Sequence, residues 1–236
     1  TIVRKDNNGY IYVDGIRCST FNRSLTNMPK PVLHYKLDET SGSTANDSSG
    51  NGHNGTNNGA TVNQIGYNGS VGAYSFDGSN DYIYNNTIVN GTMGSNYFGK
   101  TNFTISFWVY SEEASNSSTS RFVLDAGYYT GIFIWSYSGT SWDQTWGVSN
   151  NNGSSWAQAK YTTDLNAKTW YHITATYDNS NLKAYLNGQL EATDALTGPL
   201  SDPSDRLEIG VYHGGLYFFD GKISDFRIYD KALTAD

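Results

Sequence analysis

The chain has almost no sulfur chemistry and little charge. Of its 236 residues, 16% are charged and one is cysteine, Cys18. A lone cysteine excludes an internal disulfide and leaves the redox compartment unread. The net charge is −7, with no Lys/Arg cluster. That argues against nucleic acid and anionic membrane as partners. No segment approaches the roughly 18 consecutive apolar residues of a membrane span, so no membrane insertion is expected. The opening TIVRKDNNGY lacks the apolar stretch of a secretory signal. Either a signal has been removed or export does not use one.

What is present points to β-structure. Aromatics reach 15%, there are 25 glycines, and Asn, Ser and Thr are abundant while good helix formers are few. The aromatic content is too high for a disordered chain. The length suits one large domain or two small ones, and all-β sandwiches run to about 200–250 residues as a single unit. Sequons of the form N-x-[ST] occur at Asn22, Asn46, Asn54, Asn68, Asn85, Asn90, Asn102, Asn116 and Asn152. So many glycans would crowd one domain, which favours a bacterial or viral source and makes the sequons a by-product of composition.

Residues 1–31 read as an arm and linker. Turn signals at Asp6-Asn7-Asn8-Gly9 and Asp14-Gly15 surround Tyr10-Ile11-Tyr12-Val13, a short β-meander. Three such strands cannot bury a core alone. The arm is therefore expected to pack on the main domain, on another copy, or on a larger assembly. Pro29 and Pro31 mark the linker.

From residue 32 the chain alternates strands and turns. Leu33, Tyr35 and Leu37 share one face, as do Phe103, Ile105, Phe107 and Val109. Trp108 falls on the opposite face of its strand, so both faces are expected to be covered. Trp108 and Trp170, in regular strands, are expected in the core. Further strands are expected at 121–126, 130–137, 144–149 and 170–177. Asn187-Gly188 sets a type I′ hairpin, and the last strands fall at 206–210 and 222–229. Only Asp230–Asp236 has a helix-like start. This spacing implies an all-β, two-sheet antiparallel jelly-roll sandwich.

One segment breaks the pattern. LDETSGSTANDSSGNGHNGT, Leu37–Thr56, is nearly devoid of apolar side chains, carries Asp38, Glu39 and Asp47, and is punctuated by Gly42, Gly50, Gly52 and Gly55. Such a loop is either a disordered connector or a cage for a hard cation.

Segments LHYKLDETSG…DSSGNGHNGT, YSFDGSNDYI, TWYHITATYD…LKAYLNGQ and GKISDFRIYDKALT, in that order, resemble the laminin-G-like, concanavalin-A-like jelly-roll superfamily. The resemblance covers residues 32–236 and leaves the arm outside. It implies a calcium-binding, glycan-binding or adhesive module of an extracellular or virion protein. It further implies that Asp47 and the carbonyls around Asn51 and His53 meet Asp225 of the last strand to hold structural Ca2+, with Glu39 or Asp38 completing about six to eight oxygens. The other reading is a solvated loop in which Asp47 caps a turn and Asp225 is a surface carboxylate. No EF-hand spacing occurs.

A glycan surface is the functional expectation. Tyr128, Tyr129, Trp135, Tyr137, Trp142, Trp146 and Trp156 lie in a Gly/Ser/Asn-rich stretch, and Tyr212, His213 and Tyr217 in the Gly-rich loop 210–218. Aromatic rings stack on the C–H faces of sugars while Asn, Asp and Gln bond the hydroxyls. The bland alternative is that these rings fill a thin sandwich. Ser149–Trp156 resembles a sialidase Asp-box with Asn151 in place of its Asp, which is a turn signal.

Catalytic signatures are missing. The E-x-D-x-x-E strand of related glycosidases, H-E-x-x-H and G-x-S-x-G do not occur. Glu112-Glu113 reads as a solvated turn and His172 as a sheet residue. The chain is expected to be a non-enzymatic recognition or adhesion module for a glycan or cell-surface polymer, extracellular or on a virion or appendage. Residues 1–31 would then anchor it to the assembly or form a homo-oligomer. Rival readings are a structural decoration protein and a polysaccharide lyase or glycosidase.

Overall fold

The computed structural model describes strands Val3–Lys5, Ile11–Val13 and Ile16–Cys18, and residues 29–87, 102–113, 121–125, 132–136, 144–150, 155–161, 163, 165–198, 206–212 and 215–234. The three short strands, β1 (Val3–Lys5), β2 (Ile11–Val13) and β3 (Ile16–Cys18), pair antiparallel as a small sheet of their own.

The other strands make two sheets. In the first the order is β17 (Gln189–Ala195), β16 (Asn181–Leu186), β15 (Trp170–Tyr177), β10 (Phe103–Ser111), β19 (Asp220–Tyr229), β8 (Val71–Asp77) and β7 (Thr61–Ile65), with β4 (Leu33–Tyr35) also paired to β19. In the second it is β14 (Ser155–Lys160), β13 (Gln144–Asn150), β12 (Ile132–Ser136), β11 (Arg121–Asp125), β18 (Leu207–Ile209), β9 (Tyr82–Asn85), β6 (Gly55–Asn58) and β5 (Thr44–Ala45). The strand pairs are antiparallel, and no helix occurs among the described residues. This is a jelly-roll sandwich. The Asn187-Gly188 turn has both residues at positive φ, 50° and 81°, as a type I′ hairpin requires.

Period-two alternation builds the core. Phe103, Ile105, Phe107 and Val109 of β10, Ile173, Ala175 and Tyr177 of β15, and Leu182, Ala184 and Leu186 of β16 point inward from the first sheet. Ile83, Leu124, Leu207 and Ile209 meet them from the second. The YSFDGSNDYI segment turns between β8 and β9. There the Asp77 carboxylate accepts the Ser79 and Asn80 amides, and Asp81 accepts the Asp77 amide.

In β19 the alternation breaks once. Ile223 is buried, and the next inward residues are Phe226 and Ile228. Ser106 pairs with Arg227 and Trp108 with Ser224, so Phe107 faces two residues, Asp225 and Phe226. Asp225 takes φ 54° at this β-bulge. The bulge coincides with a change of neighbour: β19 pairs with β8 up to Ile223 and with β4 from Phe226 onward.

Two expectations are corrected. Trp108 and Trp170 are half-buried on the outer face of the first sheet, because β10 and β15 give their other face to the core. The tail from Asp230 to Thr234 forms no helix. Its backbone is captured by Thr104, whose hydroxyl donates to the Lys231 carbonyl (2.7 Å) and accepts the Leu233 amide (2.8 Å).

Phe226 is fully buried and stacks with Phe107 (5.7 Å between ring centroids) and Tyr35 (6.3 Å). Phe226→Ala is expected to cost about 3–5 kcal/mol, read from the urea midpoint at unchanged slope. A loss under about 1 kcal/mol would show that the bulge does not organise this packing.

Candidate functional site

Of the aromatic residues singled out for ligand contact, Tyr212 and Tyr217 are described in full. They flank a tight turn after β18. Tyr212 N donates to Leu216 O (2.9 Å), while Gly215 N and Leu216 N donate back to Tyr212 O (both 3.2 Å). The turn brings the two rings to 6.0 Å with a 53° tilt. Tyr217 is 48% and Leu216 55% exposed. Tyr217 adopts φ 54°, an uncommon conformation for a bulky side chain. Trp135, Trp146 and Trp156 lie in β12, β13 and β14, where Trp135 is in register with Phe122 and Thr145, Trp146 with Ile134 and Ala159, and Trp156 with Ser149. Tyr128, Tyr129, Tyr137, Trp142 and His213 lie outside the described residues, as do residues 151–154.

Other aromatic groups went unnoticed in the sequence. On the outer face of the first sheet Tyr67 lies flat on Trp108, 4.2 Å away at 3°, and Trp108 packs on His172. Tyr110 and Trp170 form the next pair, with the Lys222 ammonium 5.4 Å above Tyr110. On the second sheet the Arg206 guanidinium lies 4.8 Å over Tyr84 and 5.6 Å over Tyr82. Beside them Glu208 faces Asp125 across the β11–β18 ladder, both 1% exposed. Glu208 Oε1 takes Arg206 Nε and Nη2 at 2.7 and 2.6 Å.

Ser106 and His172 look like a nucleophile and its base. The Ser106 hydroxyl is 3.0 Å from His172 Nε2. Both side chains are buried, and the Trp108 ring packs against His172. Burial pushes the imidazole down to about 4 against the opposing pull of the Asp225 charge, so the ring is neutral at pH 7. Asp225 hydrogen-bonds elsewhere, leaving a covered dyad without an orienting acid.

The Leu37–Thr56 loop is ordered by its own carboxylates. Asp47 Oδ1 accepts the His34 (3.0 Å) and Ser49 (2.9 Å) amides. Its Oδ2 accepts the Ser49 hydroxyl (2.8 Å) and the His53 amide (3.0 Å). Glu39 Oε1 accepts the amide and side-chain nitrogens of Asn46 at 2.8 and 2.9 Å, and Oε2 accepts the Tyr74 hydroxyl at 2.8 Å. The His53 carbonyl takes Tyr35 OH and Asn85 Nδ2, both at 2.8 Å. Asn51 Nδ2 donates to Val32 O (2.9 Å). Asp225 sits across the sheet junction, where Oδ1 meets His34 Nε2 (2.8 Å) and Arg227 Nη2 (2.9 Å). Among the described residues no three or more His, Cys, Asp or Glu side chains gather as a metal-ligand group.

Burial acts to raise the Asp47 carboxyl, and the hydrogen bonds from Ser49, His53 and His34 outweigh it, holding the group below its ordinary 3.8. A depressed folded-state value stabilises the fold above pH 3.8 and loses that stabilisation as pH falls through the lower value. Asp47→Asn is therefore expected to cost about 2 kcal/mol or more at pH 7. It should also flatten the fall of the urea midpoint below about pH 4. A mutant with wild-type stability at pH 7 would remove Asp47 as the loop's organiser.

Known proteins place this architecture. A family model described as the concanavalin A-like lectin/glucanases superfamily matches residues 77–236, more than half of the chain. The receptor-binding domain of botulinum neurotoxin C/D mosaic serotype superposes with a TM-score of 0.68 at 18% identity, over 87% of this chain and 49% of that one. A botulinum neurotoxin type C structure, titled for cell entry dependent on two ganglioside molecules, gives 0.67 at 16%, over 87% and 49%. Domain 4 of AbnA, a GH43 extracellular arabinanase from Geobacillus stearothermophilus, in complex with arabinotriose, gives 0.61 at 24%, over 88% and 95%. The chain thus spans about half the length of the toxin domains and nearly all of the arabinanase domain. No curated protein sequence matches significantly. With its two antiparallel sheets, the chain belongs to the concanavalin A-like lectin/glucanase superfamily, as a laminin-G-like jelly roll.

Proposed function

We propose that this chain is a non-catalytic recognition module that binds a glycan or glycan-bearing cell-surface polymer. The observation that carries the reading is the Tyr212–Tyr217 pair. Two rings 6.0 Å apart are held by a turn with three backbone hydrogen bonds, and one of them is 48% exposed. Rings fixed before binding lose little entropy when a sugar stacks on them. Exposed Leu216 extends the apolar surface beside Tyr217. Two similar structures support the class of ligand, one holding arabinotriose and one titled for two ganglioside molecules.

The non-catalytic part of the reading is supported by what happens to potential acid–base groups. Glu208 and Asp125 are buried side by side, with Glu208 held by Arg206. The Ser106–His172 dyad is closed over. None of these groups meets solvent where a glycosidic bond could reach it. Extracellular display, on a virion or an appendage, fits a domain preceded by a separate three-stranded sheet, and that sheet is the proposed anchor.

On a glycan array the protein is expected to select a defined set of sugars. Tyr217→Ala should weaken binding of the best ligand at least tenfold, about 1.4 kcal/mol, with an unchanged melting temperature. Absence of binding to every arrayed glycan, or a Tyr217→Ala protein that binds normally, ends this reading. Deleting residues 1–31 should leave the glycan affinity intact while abolishing self-association or incorporation into a particle. An arm-less protein that still assembles refutes the anchoring role.

A further inference from the structure

The resemblance to calcium-binding jelly rolls requires oxygen atoms with lone pairs to spare, and Asp47, Glu39 and the His53 carbonyl have already committed theirs. An ionised carboxylate offers about four acceptor positions. Asp47 fills its positions with three backbone amides and one hydroxyl. Glu39 is taken by Asn46 and Tyr74, and the His53 carbonyl by Tyr35 and Asn85. Each donor points a hydrogen at the oxygen a cation would need. These residues do not fit a calcium shell.

The carboxylate of the last strand, Asp225, faces a cation of the protein's own. Arg227, 3% exposed, lies two residues along the strand with Nη2 2.9 Å from Asp225 Oδ1. Arg227 Nε lies 3.1 Å from His34 Nε2, which itself is 2.8 Å from Asp225. With the imidazole proton on Nε2 the ring donates to Asp225, and with it on Nδ1 the ring accepts from Arg227. Nε2 thus serves Asp225 in one tautomer and Arg227 in the other, while the His34 backbone amide and carbonyl tie down Asp47 and Ser48.

We infer that the clasp between the Leu37–Thr56 loop and the last strand is closed by Arg227 and His34 in the place of a divalent cation. The buried guanidinium supplies the positive charge that Asp225 needs, and His34 carries the connection through to Asp47. The loop is therefore held without calcium. Asp225 and Arg227 are mutually dependent, since removing either strands the other's charge at a site with little water.

The test uses the full chain. Thermal melts are recorded after EDTA treatment and across a calcium titration, and calcium binding is followed by calorimetry. The melting temperature is expected to move by less than about 1 °C, since a ligand of the folded state alone must raise it as its concentration passes the dissociation constant. A calcium-dependent rise of several degrees overturns the inference. Asp225→Asn and Arg227→Met should each lower the melting temperature. The double variant should melt no lower than the worse single variant, the mark of a coupled pair. Additive losses contradict the pairing. Should a variant fail to fold, the calcium titration of the wild-type chain still decides.

Discussion

The sandwich depends on one irregularity, the bulge at Asp225. The last strand lies at the centre of the first sheet and must change partners along its length, from β8 to β4. An extra residue at the change lets Ile223 and Phe226 both face the core. Without it every residue beyond the junction would exchange faces, and Phe226 and Ile228 would leave the interior. Holding a non-glycine residue at φ 54° costs conformational energy. That cost is offset where the side chain so aimed is most useful, against His34 and Arg227.

From that point the order of the amino-terminal loop follows. His34 pairs with Arg227 across the β4–β19 ladder, and its amide feeds Asp47. Asp47 in turn gathers Ser49 and His53, and the His53 carbonyl receives Tyr35 and Asn85 from the two sheets. The chain of contacts runs from the last strand through the first strand and loop into the second sheet. A segment with almost no apolar side chains is thus fixed by saturation of polar groups instead of burial.

The parts of this arrangement that local pattern controls were legible in the sequence. Strand alternation located Phe103, Ile105, Phe107 and Val109 in the core, and Asn187-Gly188 marked its hairpin. The two family segments implied that Asp47 and Asp225 share a calcium ion, whereas in the structure Asp47 takes the His34 amide and Asp225 meets the His34 imidazole. Their partners are His34 and Arg227, and an arginine two residues from an aspartate on a strand is too common to single out. Trp108 and Trp170 were misplaced because they sit in regular strands, although the residues sharing their face, Thr104, Ser106, His172, Thr174 and Thr176, are polar and mark it as the outer one. Tyr67 reaches Trp108 only because the β7–β8 hairpin folds back. There Gly66 lies close enough that an added Cβ would come 3.1 Å from the Ser224 hydroxyl.

Two residues held at positive φ, Asp225 and Tyr217, obey different constraints. At the Asp225 junction an unusual backbone angle is balanced by two buried partners, His34 and Arg227, so it serves the fold. At Tyr217 a comparable angle, φ 54°, turns a large ring toward solvent. Stability alone would favour glycine at such an angle and a buried position for such a ring. That asymmetry is why the proposed recognition is placed at the 212–217 turn and not in the polar loop.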